Sequence, residues 1–513
     1  MASTYSTTAE IDSALSTLRS TFRSNRTKDL RYRKWQLKQL YWLVADNIDE
    51  FITALKADLN RHEFETRFTQ KGLLVYLTEH IDSVESWAAD EVPDNGFVFS
   101  KLGTTVVRQE PRGVAFIIGA WNFPDTLLLQ PLASAIAAGC VALVKPSEIA
   151  AHTAELMIRL APKYLDPEAY VFVSGAAQET TYMLTHKFDH VFFTGSTPIA
   201  RHVAAATAKH LTPTVLELGG QGPAIVTRSA NVDLAAKRIA SAKFMNAGQI
   251  CLSVNHTFVH PDIYDAFVTR VKVWNETFAQ ESTDMADIIN ERNHSRLSNM
   301  LSKTAGTVTS TSQPDPSKPL KIFPTIVSNV KMDDSILSEE LFGPILPVLS
   351  SDTASACSTI SSMPHPLGLY IFSSDESEIE YILSHTLSGG VTINDCMLHA
   401  GAKNAPFGGV GDSGSGAYHG KYGFDTFTHK RTVVRLPDWL DKVMGFRYPP
   451  YDLAKSGMMI KVGKPSFKRG ETLEDQKLGG KWTGLSIMSV VVAFVGLGAA
   501  AWTGNIGKVV GDW

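Results

Sequence analysis

From Gly113 onward the hydrophobic pattern changes period, and this change restricts the architecture more than any other feature of the chain. Short apolar runs at 114–118, 141–144, 170–173, 191–193 and 214–216 alternate with helical stretches at about 125–138, 149–163, 177–185 and 196–208. Strands separated by helices at that spacing predict a parallel sheet with helices on both faces. Such sheets bind ligands at the carboxyl ends of their strands. Trp121-Asn122, Lys145-Pro-Ser-Glu148 and Gly195-Ser196 all fall at those ends. The segment before, from about 8 to 92, reads as helices instead. Leu15, Leu18 and Phe22 recur at helical spacing, and so do Leu37, Leu40, Leu43 and Val44. A second alternating block runs from about 221 to 420, with strands near 224–226, 257–259, 369–372 and 390–393. Residues 303–320, rich in Ser, Thr and Pro, read as a surface loop.

Two short motifs carry chemistry. Gly248-Gln249-Ile250-Cys251 offers a sulfur nucleophile after a turn, and Glu217-Leu218-Gly219-Gly220, about thirty residues upstream, offers a carboxylate. Covalent catalysis at a carbonyl uses such a pair, one group to attack and one to activate water. Either piece alone is weak: a lone Cys is more often a small core residue, and a Glu at a strand end is as readily a cap or an ion-pair partner. Asn122, in Asn-Phe-Pro, would equally suit a turn.

An ordered series of segments decides between these readings. Gly119-Ala-Trp-Asn-Phe-Pro124, Lys145-Pro-Ser-Glu148, Phe193-Thr-Gly-Ser-Thr197, Glu217-Leu-Gly-Gly220 and Gly248-Gln-Ile-Cys251 are followed by Glu339-Glu-Leu-Phe-Gly-Pro344, Asn394-Asp395, Pro406-Phe-Gly-Gly-Val-Gly411 and Gly414-Ser-Gly-Ala-Tyr-His-Gly420. In this order they resemble the aldehyde dehydrogenase superfamily, and within it the class 3 branch that includes the fatty aldehyde dehydrogenases. The resemblance runs from about residue 10 to about 451.

It implies an α/β fold with a Rossmann-like NAD-binding domain (8–97 and 113–216), an α/β catalytic domain (217–425) and a small bridging oligomerisation sheet (98–112 and 426–447). Those last segments alone read as exposed strands. Carried over residue by residue, the resemblance makes Cys251 the nucleophile, Glu217 the base for deacylation, and Asn122 with the Cys251 backbone N–H the oxyanion donors. Trp121, Lys145, Glu148, Gly195, Ser196, Glu340 and Phe342 fall at cofactor-binding positions. No metal is implied. Glu148 accepts hydrogen bonds from ribose hydroxyls and repels a 2′-phosphate, which favours NAD over NADP, although class 3 enzymes use both. The chain departs from the family at Ala200, where a Gly is usual, and at Gln221, where a Lys is usual. A homodimer is implied.

Composition sets limits on partners and compartment. The net charge of −4 gives no electrostatic reason to expect nucleic-acid binding. Four cysteines without a C-x-x-C pair indicate neither a disulfide framework nor a zinc site. Past the end of the resemblance, residues 482–502 form an uncharged stretch bounded by Trp482 and Trp502. As a helix it rises about 30 Å, enough to cross a bilayer's hydrocarbon core with Trp at both interfaces. The linker before it, 448–481, is net basic, which suits the cytoplasmic face of a membrane. The expectation is a single-pass C-terminal transmembrane anchor on a cytosolic body that oxidises apolar aldehydes, fatty or apocarotenoid. Two alternatives remain open at this point: an acylating, coenzyme A-dependent enzyme, and a catalytically silent membrane-bound scaffold.

Overall fold

The computed structural model describes residues 5–94, 98–280, 284–454 and 469–476. The chain divides into two units, Met1–Leu436 and Pro437–Trp513.

The first unit begins with four helices, Thr8–Arg23, Leu30–Ala45, Ile48–Leu59 and Glu63–Trp87. The first opens on a capping box. Glu10 N–H donates to Thr7 Oγ1 at 3.2 Å, and Thr7 N–H donates to the Glu10 carboxylate at 2.7 Å, satisfying two donors the helix leaves free. Ile11, Leu15 and Leu18 are buried on its inner face.

These helices cover a six-stranded sheet. Its spatial order is Tyr170–Phe172, Val141–Lys145, Val114–Ile118, His190–Thr194, Thr214–Glu217, Gly414–Ser415, and all neighbours are parallel except the last pair. Strands 114–118, 141–145 and 190–194 are buried along their whole length, as expected when helices close both faces. Chain order reverses between 114–118 and 190–194, and the crevice above such a reversal is where nucleotides bind in sheets of this kind.

The second sheet has seven strands in the order Gly390–Ile393, Gly368–Phe372, Pro223–Val226, His256–Val259, Ile345–Ser350, Thr325–Ser328, Thr307–Ser310. Alternate residues feed two separate cores. Ile225, Phe258, Leu369 and Ile371 join one; Ala224, Val226, Val259, Tyr370 and Phe372 join the other, the period of two that a strand imposes. A third, two-stranded sheet pairs Thr104–Pro111 antiparallel with Thr428–Arg435.

Several details depart from the sequence reading. The segment 303–320 is not all loop: Thr307–Ser310 pairs antiparallel with Thr325–Ser328 at the sheet edge, where β-branched Thr and Val suit an extended backbone. Residues 98–102 form a helical turn before the strand, and that strand is half-buried, with Thr105 and Gln109 inside. Gly414–Ser415 and helix Gly420–Thr426, expected in the catalytic block, return to the first sheet and its helix Thr126–Ala138.

In the second unit the described residues include a short helix, Leu440–Met444, and a turn, Gly445–Arg447, in which Arg447 donates to Asp441 at 3.1 Å. The expected span 482–502 and most of the expected linker lie outside the described residues. Among the described residues, no helix is long and apolar enough to cross a membrane.

Candidate active site

Cys251 follows a backbone held in an unusual shape. Asn246, Ala247 and Gly248 have φ of 48°, 52° and 67°, three consecutive residues in the left-handed region. For Asn and Ala that conformation costs on the order of 1–2 kcal/mol per residue, so neighbours must hold it. At Gly248 the requirement is absolute, because a Cβ there would overlap the Gly343 carbonyl oxygen.

The holding groups are buried and polar. Asn246 N–H donates to both carboxyl oxygens of Glu65, at 3.1 and 3.2 Å. Its side-chain oxygen accepts from Arg61 Nε at 3.1 Å and Nη2 at 2.8 Å, and its Nδ2 donates to Asn122 O and Gln249 O, each at 3.1 Å. Arg61 Nη2 also donates to Asn122 O. The guanidinium lies 4.5 Å from the Phe123 ring centroid, a cation–π contact. Asn122 Nδ2 donates to Gln249 O at 3.1 Å. Arg61 thus ties the loop after strand 114–118 to the turn that carries Cys251.

Glu217 ends strand Thr214–Glu217 and is buried, with neither carboxyl oxygen hydrogen-bonded. Burial pushes its carboxyl well above the usual carboxylate range. The Cys251 thiol is pushed up to about 12, first by burial and then by the charges of Glu340 and Glu217. Burial thus favours the protonated form of both groups. Glu340 lies against Gly219, where an added Cβ would collide with its carboxylate. Its carboxyl rises to about 7, burial outweighing the Gly220 N–H, Arg296 and Lys243.

Trp121, Lys145, Glu148, Gly195, Ser196 and Glu217 lie at or just past the carboxyl ends of strands 114–118, 141–145, 190–194 and 214–217. Trp121 meets Phe342 edge to face at 5.2 Å. Gly195 N–H donates to Glu217 O at 3.0 Å, which seats the Gly195-Ser196 turn beside Glu217. Ser196 caps helix Thr197–Ala208 without using its side chain for that cap. Lys145 Nζ donates to Glu148 at 2.9 Å and to the Gly175 and Pro146 carbonyls at 2.8 and 3.1 Å. Gln221, at a departure position, accepts from Asn255 Nδ2 at 3.4 Å, and Asn255 Oδ1 accepts from Leu341 N–H at 2.8 Å. Ala200 is buried on helix Thr197–Ala208.

Arg61, Glu65 and Asn246 were not legible as site residues in the sequence. Nor was Lys243, a buried lysine lowered to about 7 by burial, against the raising effect of Glu340. Among the described residues no cluster of His, Cys, Asp and Glu is arranged to hold a metal ion.

Residues 2–433 match the aldehyde dehydrogenase family. The chain belongs to that family. This aldehyde dehydrogenase is 39% identical to a β-apo-4′-carotenal oxygenase of Neurospora crassa, over 90% of this chain and 88% of the relative. It is 38% identical to aldehyde dehydrogenase family 3 member A2 of Rattus norvegicus, over 85% and 91%. A rat dimeric NADP-preferring aldehyde dehydrogenase is 36% identical, over 86% and 98%. Among solved structures, a substrate-bound Staphylococcus aureus AldH superposes with a TM-score of 0.81 at 32% identity, covering 85% of this chain and 98% of that one. The chain is an NAD(P)-dependent aldehyde dehydrogenase.

The crevice of this aldehyde dehydrogenase fits such a nucleotide. The Thr194 hydroxyl, beside Gly195, is buried without a partner, and the backbone N–H groups opening helix Thr197–Ala208 suit a pyrophosphate. A Cβ at Gly195 would overlap the Phe193 ring, so this turn requires glycine.

Proposed function

We propose that this aldehyde dehydrogenase oxidises long or otherwise apolar aldehydes, fatty or apocarotenoid, to carboxylic acids at a membrane. Cys251 is the nucleophile, Glu217 the base and Asn122 an oxyanion donor. The observation that carries this reading is Glu217, buried beside Cys251 with both oxygens unpartnered. A carboxyl kept dry without a structural partner is costly, and its position beside a sulfur suits proton transfer. The same residue disfavours the acylating alternative, which has no use for a water-activating base.

In the reading, Cys251 Sγ gives its proton to water and bonds to the aldehyde carbon, whose C=O π pair moves onto the oxygen. The developing alkoxide is met by the Asn122 side-chain N–H and the Cys251 backbone N–H. When bound, the nicotinamide nucleotide supplies the two-electron oxidant, leaving a thioester on Cys251. Ionised Glu217 then takes a proton from water as the water oxygen bonds to the acyl carbon, and the C–S bond breaks to release the acid. Arg61 and Asn246 take no proton; they hold Asn122 and the Cys251 turn in register.

Trp121 and Phe342 shape the nicotinamide end, Glu340 the nearby ribose, and Lys145 with Glu148 the adenosine ribose. Glu148, an acidic group paired with Lys145, would accept from ribose hydroxyls and repel a 2′-phosphate, which favours NAD, while the NADP-preferring rat relative supports use of both. The name of the Neurospora relative supports a polyene aldehyde as substrate. The apolar segment 482–502 is the proposed anchor, on a cytosol-facing body. The rat relative named dimeric supports a homodimer, in which Thr428–Arg435 would present its outer edge to the partner.

NAD(P)H formation across a series of aldehydes of rising chain length, with a polyene aldehyde included, tests the substrate class. Rising kcat/KM with apolar length supports it. A preference for short polar aldehydes overturns it.

A further inference from the structure

Phe342 has φ of 50°, a left-handed backbone that a bulky side chain adopts only where neighbours hold it. The turn it belongs to meets the rest of the site at three places. The Glu340 carboxyl lies against Gly219, the Phe342 ring meets Trp121 at 5.2 Å, and the Gly343 carbonyl lies against Gly248 in the turn before Cys251. Arg296 holds the turn's carbonyls, donating to Glu340 O at 3.2 Å and to Leu341 O at 2.6 Å. The Leu341 N–H has a different holder: it donates to Asn255 Oδ1 at 2.8 Å. Leu341 and Asn255 are both buried, so loss of this acceptor would leave a buried donor unpaired. Asn255 stands four residues after Cys251. Its own N–H donates to Gly222 O at 2.7 Å, and its Nδ2 donates to Gln221 Oε1 and to His256 Nδ1, each at 3.4 Å. One buried amide therefore joins the segment after Glu217-Leu-Gly-Gly220, the segment after Cys251, and Glu340-Leu-Phe342.

We propose that Asn255 is a positioning residue for hydride transfer, fixing Leu341 so that Glu340 and Phe342 keep the nicotinamide end in register with Cys251. It acts through the Leu341 backbone and touches neither substrate nor nucleotide. Gln221 steadies it, which gives a role to one departure from the family pattern. The Leu341 N–H fixes which way the Asn255 amide faces: Oδ1 toward Leu341, Nδ2 toward residue 221. A Gln there can accept from Nδ2, whereas the Lys usual at that position has three donors and no acceptor. The proposal rests on the reading that Glu340 and Phe342 shape the nicotinamide end. A misplacement of about 1 Å at a reacting centre costs roughly a hundred-fold in rate. A loosened turn therefore slows the chemical step more than it weakens nucleotide binding.

The test compares three variants of the full chain. Asn255→Leu removes the acceptor, Asn255→Asp keeps it and can be met by the Gln221 amide, and Gln221→Met removes only the support. Each is assayed with NAD and a soluble aldehyde bearing hydrogen or deuterium at its carbonyl carbon, with rates counted per titratable active-site thiol. Asn255→Leu should lower kcat per site about ten-fold or more. Its deuterium effect on kcat should exceed the parent's, and its NAD dissociation constant should change less than kcat does. Gln221→Met should show the same changes in smaller measure, and Asn255→Asp should keep most of the parent's rate. Fewer active sites, with kcat per site and isotope effect unchanged, would make Asn255 a packing residue and overturn the proposal. Equal damage in Asn255→Asp and Asn255→Leu would overturn it too, because the Leu341 acceptor would not be what matters. Glu340→Ala separates the underlying reading. If that variant matches the parent in rate and isotope effect, the nicotinamide assignment falls and the proposal with it. If it is impaired while the Asn255 variants are not, the proposal alone falls.

Discussion

Arg61 grips Asn246 through two donors, Nε at 3.1 Å and Nη2 at 2.8 Å on the same oxygen, although the two residues are 185 positions apart. With Glu65 holding the Asn246 N–H, this clamp keeps three left-handed residues in place shortly before Cys251. The same guanidinium donates to Asn122 O. One buried cation therefore positions both proposed sources of oxyanion donors.

Arg61→Met leaves buried acceptors unpaired, a loss of about 1–3 kcal/mol for a hydrogen bond to a charged group. We expect kcat to fall roughly ten- to a hundred-fold with little change in the KM for the nicotinamide nucleotide, and Arg61→Lys to restore part of it. Steady-state kinetics check this. A purely structural role would lower the amount of active enzyme and leave kcat per active site, counted by thiol titration, unchanged.

For Glu217→Gln, kcat is expected to drop on the order of a hundred-fold through deacylation. A burst of NADH in stopped flow should precede the slow phase. If the burst is lost as well, Glu217 also activates the thiol.

The same substitution bears on stability. A folded-state carboxyl raised above its unfolded value binds its proton more tightly when folded, so its contribution weakens as pH rises above the unfolded pKa of about 4.3. Glu217→Gln removes that penalty. Its Tm advantage over the parent should therefore be larger at pH 8 than at pH 5, measured by calorimetry without cofactor.

Four histidines act in the opposite sense. Burial is the main cause that lowers His80, His256 and His419 to about 4 and His190 to about 3. Below about pH 6.5 the unfolded chain takes up protons there that the folded chain refuses. Stability is full above that pH and is lost as pH falls from about 6.5 toward 4. A Tm that stays flat across that window contradicts the assignment.

How much of this was visible beforehand follows from locality. Strands 114–118, 141–145 and 190–194 were legible because buried parallel strands are continuous apolar runs, and Cys251 and Glu217 could be proposed because each sits in a short local motif. Arg61 was not, because its meaning lies in contacts with Asn122 and Asn246, far along the chain. The edge pair Gly414–Ser415 is too short to show any period, and Thr307–Ser310 hid in a Ser- and Thr-rich stretch.

Removal of residues from Trp482 onward should shift the enzyme to the soluble fraction, whereas the full chain should resist both high salt and alkaline carbonate. Release by salt alone assigns anchoring to the basic linker. Cell fractionation with an activity assay on a short aldehyde reads the result.

The covalent acyl-enzyme is the centre of the account. Glu217→Gln enzyme, mixed with NAD and a saturated long-chain aldehyde and quenched in acid during the burst, should show an intact mass raised by one acyl group. Peptide mapping should place that group on Cys251. NADH formed in the burst with no added mass, or with the acyl group on another residue, would contradict it.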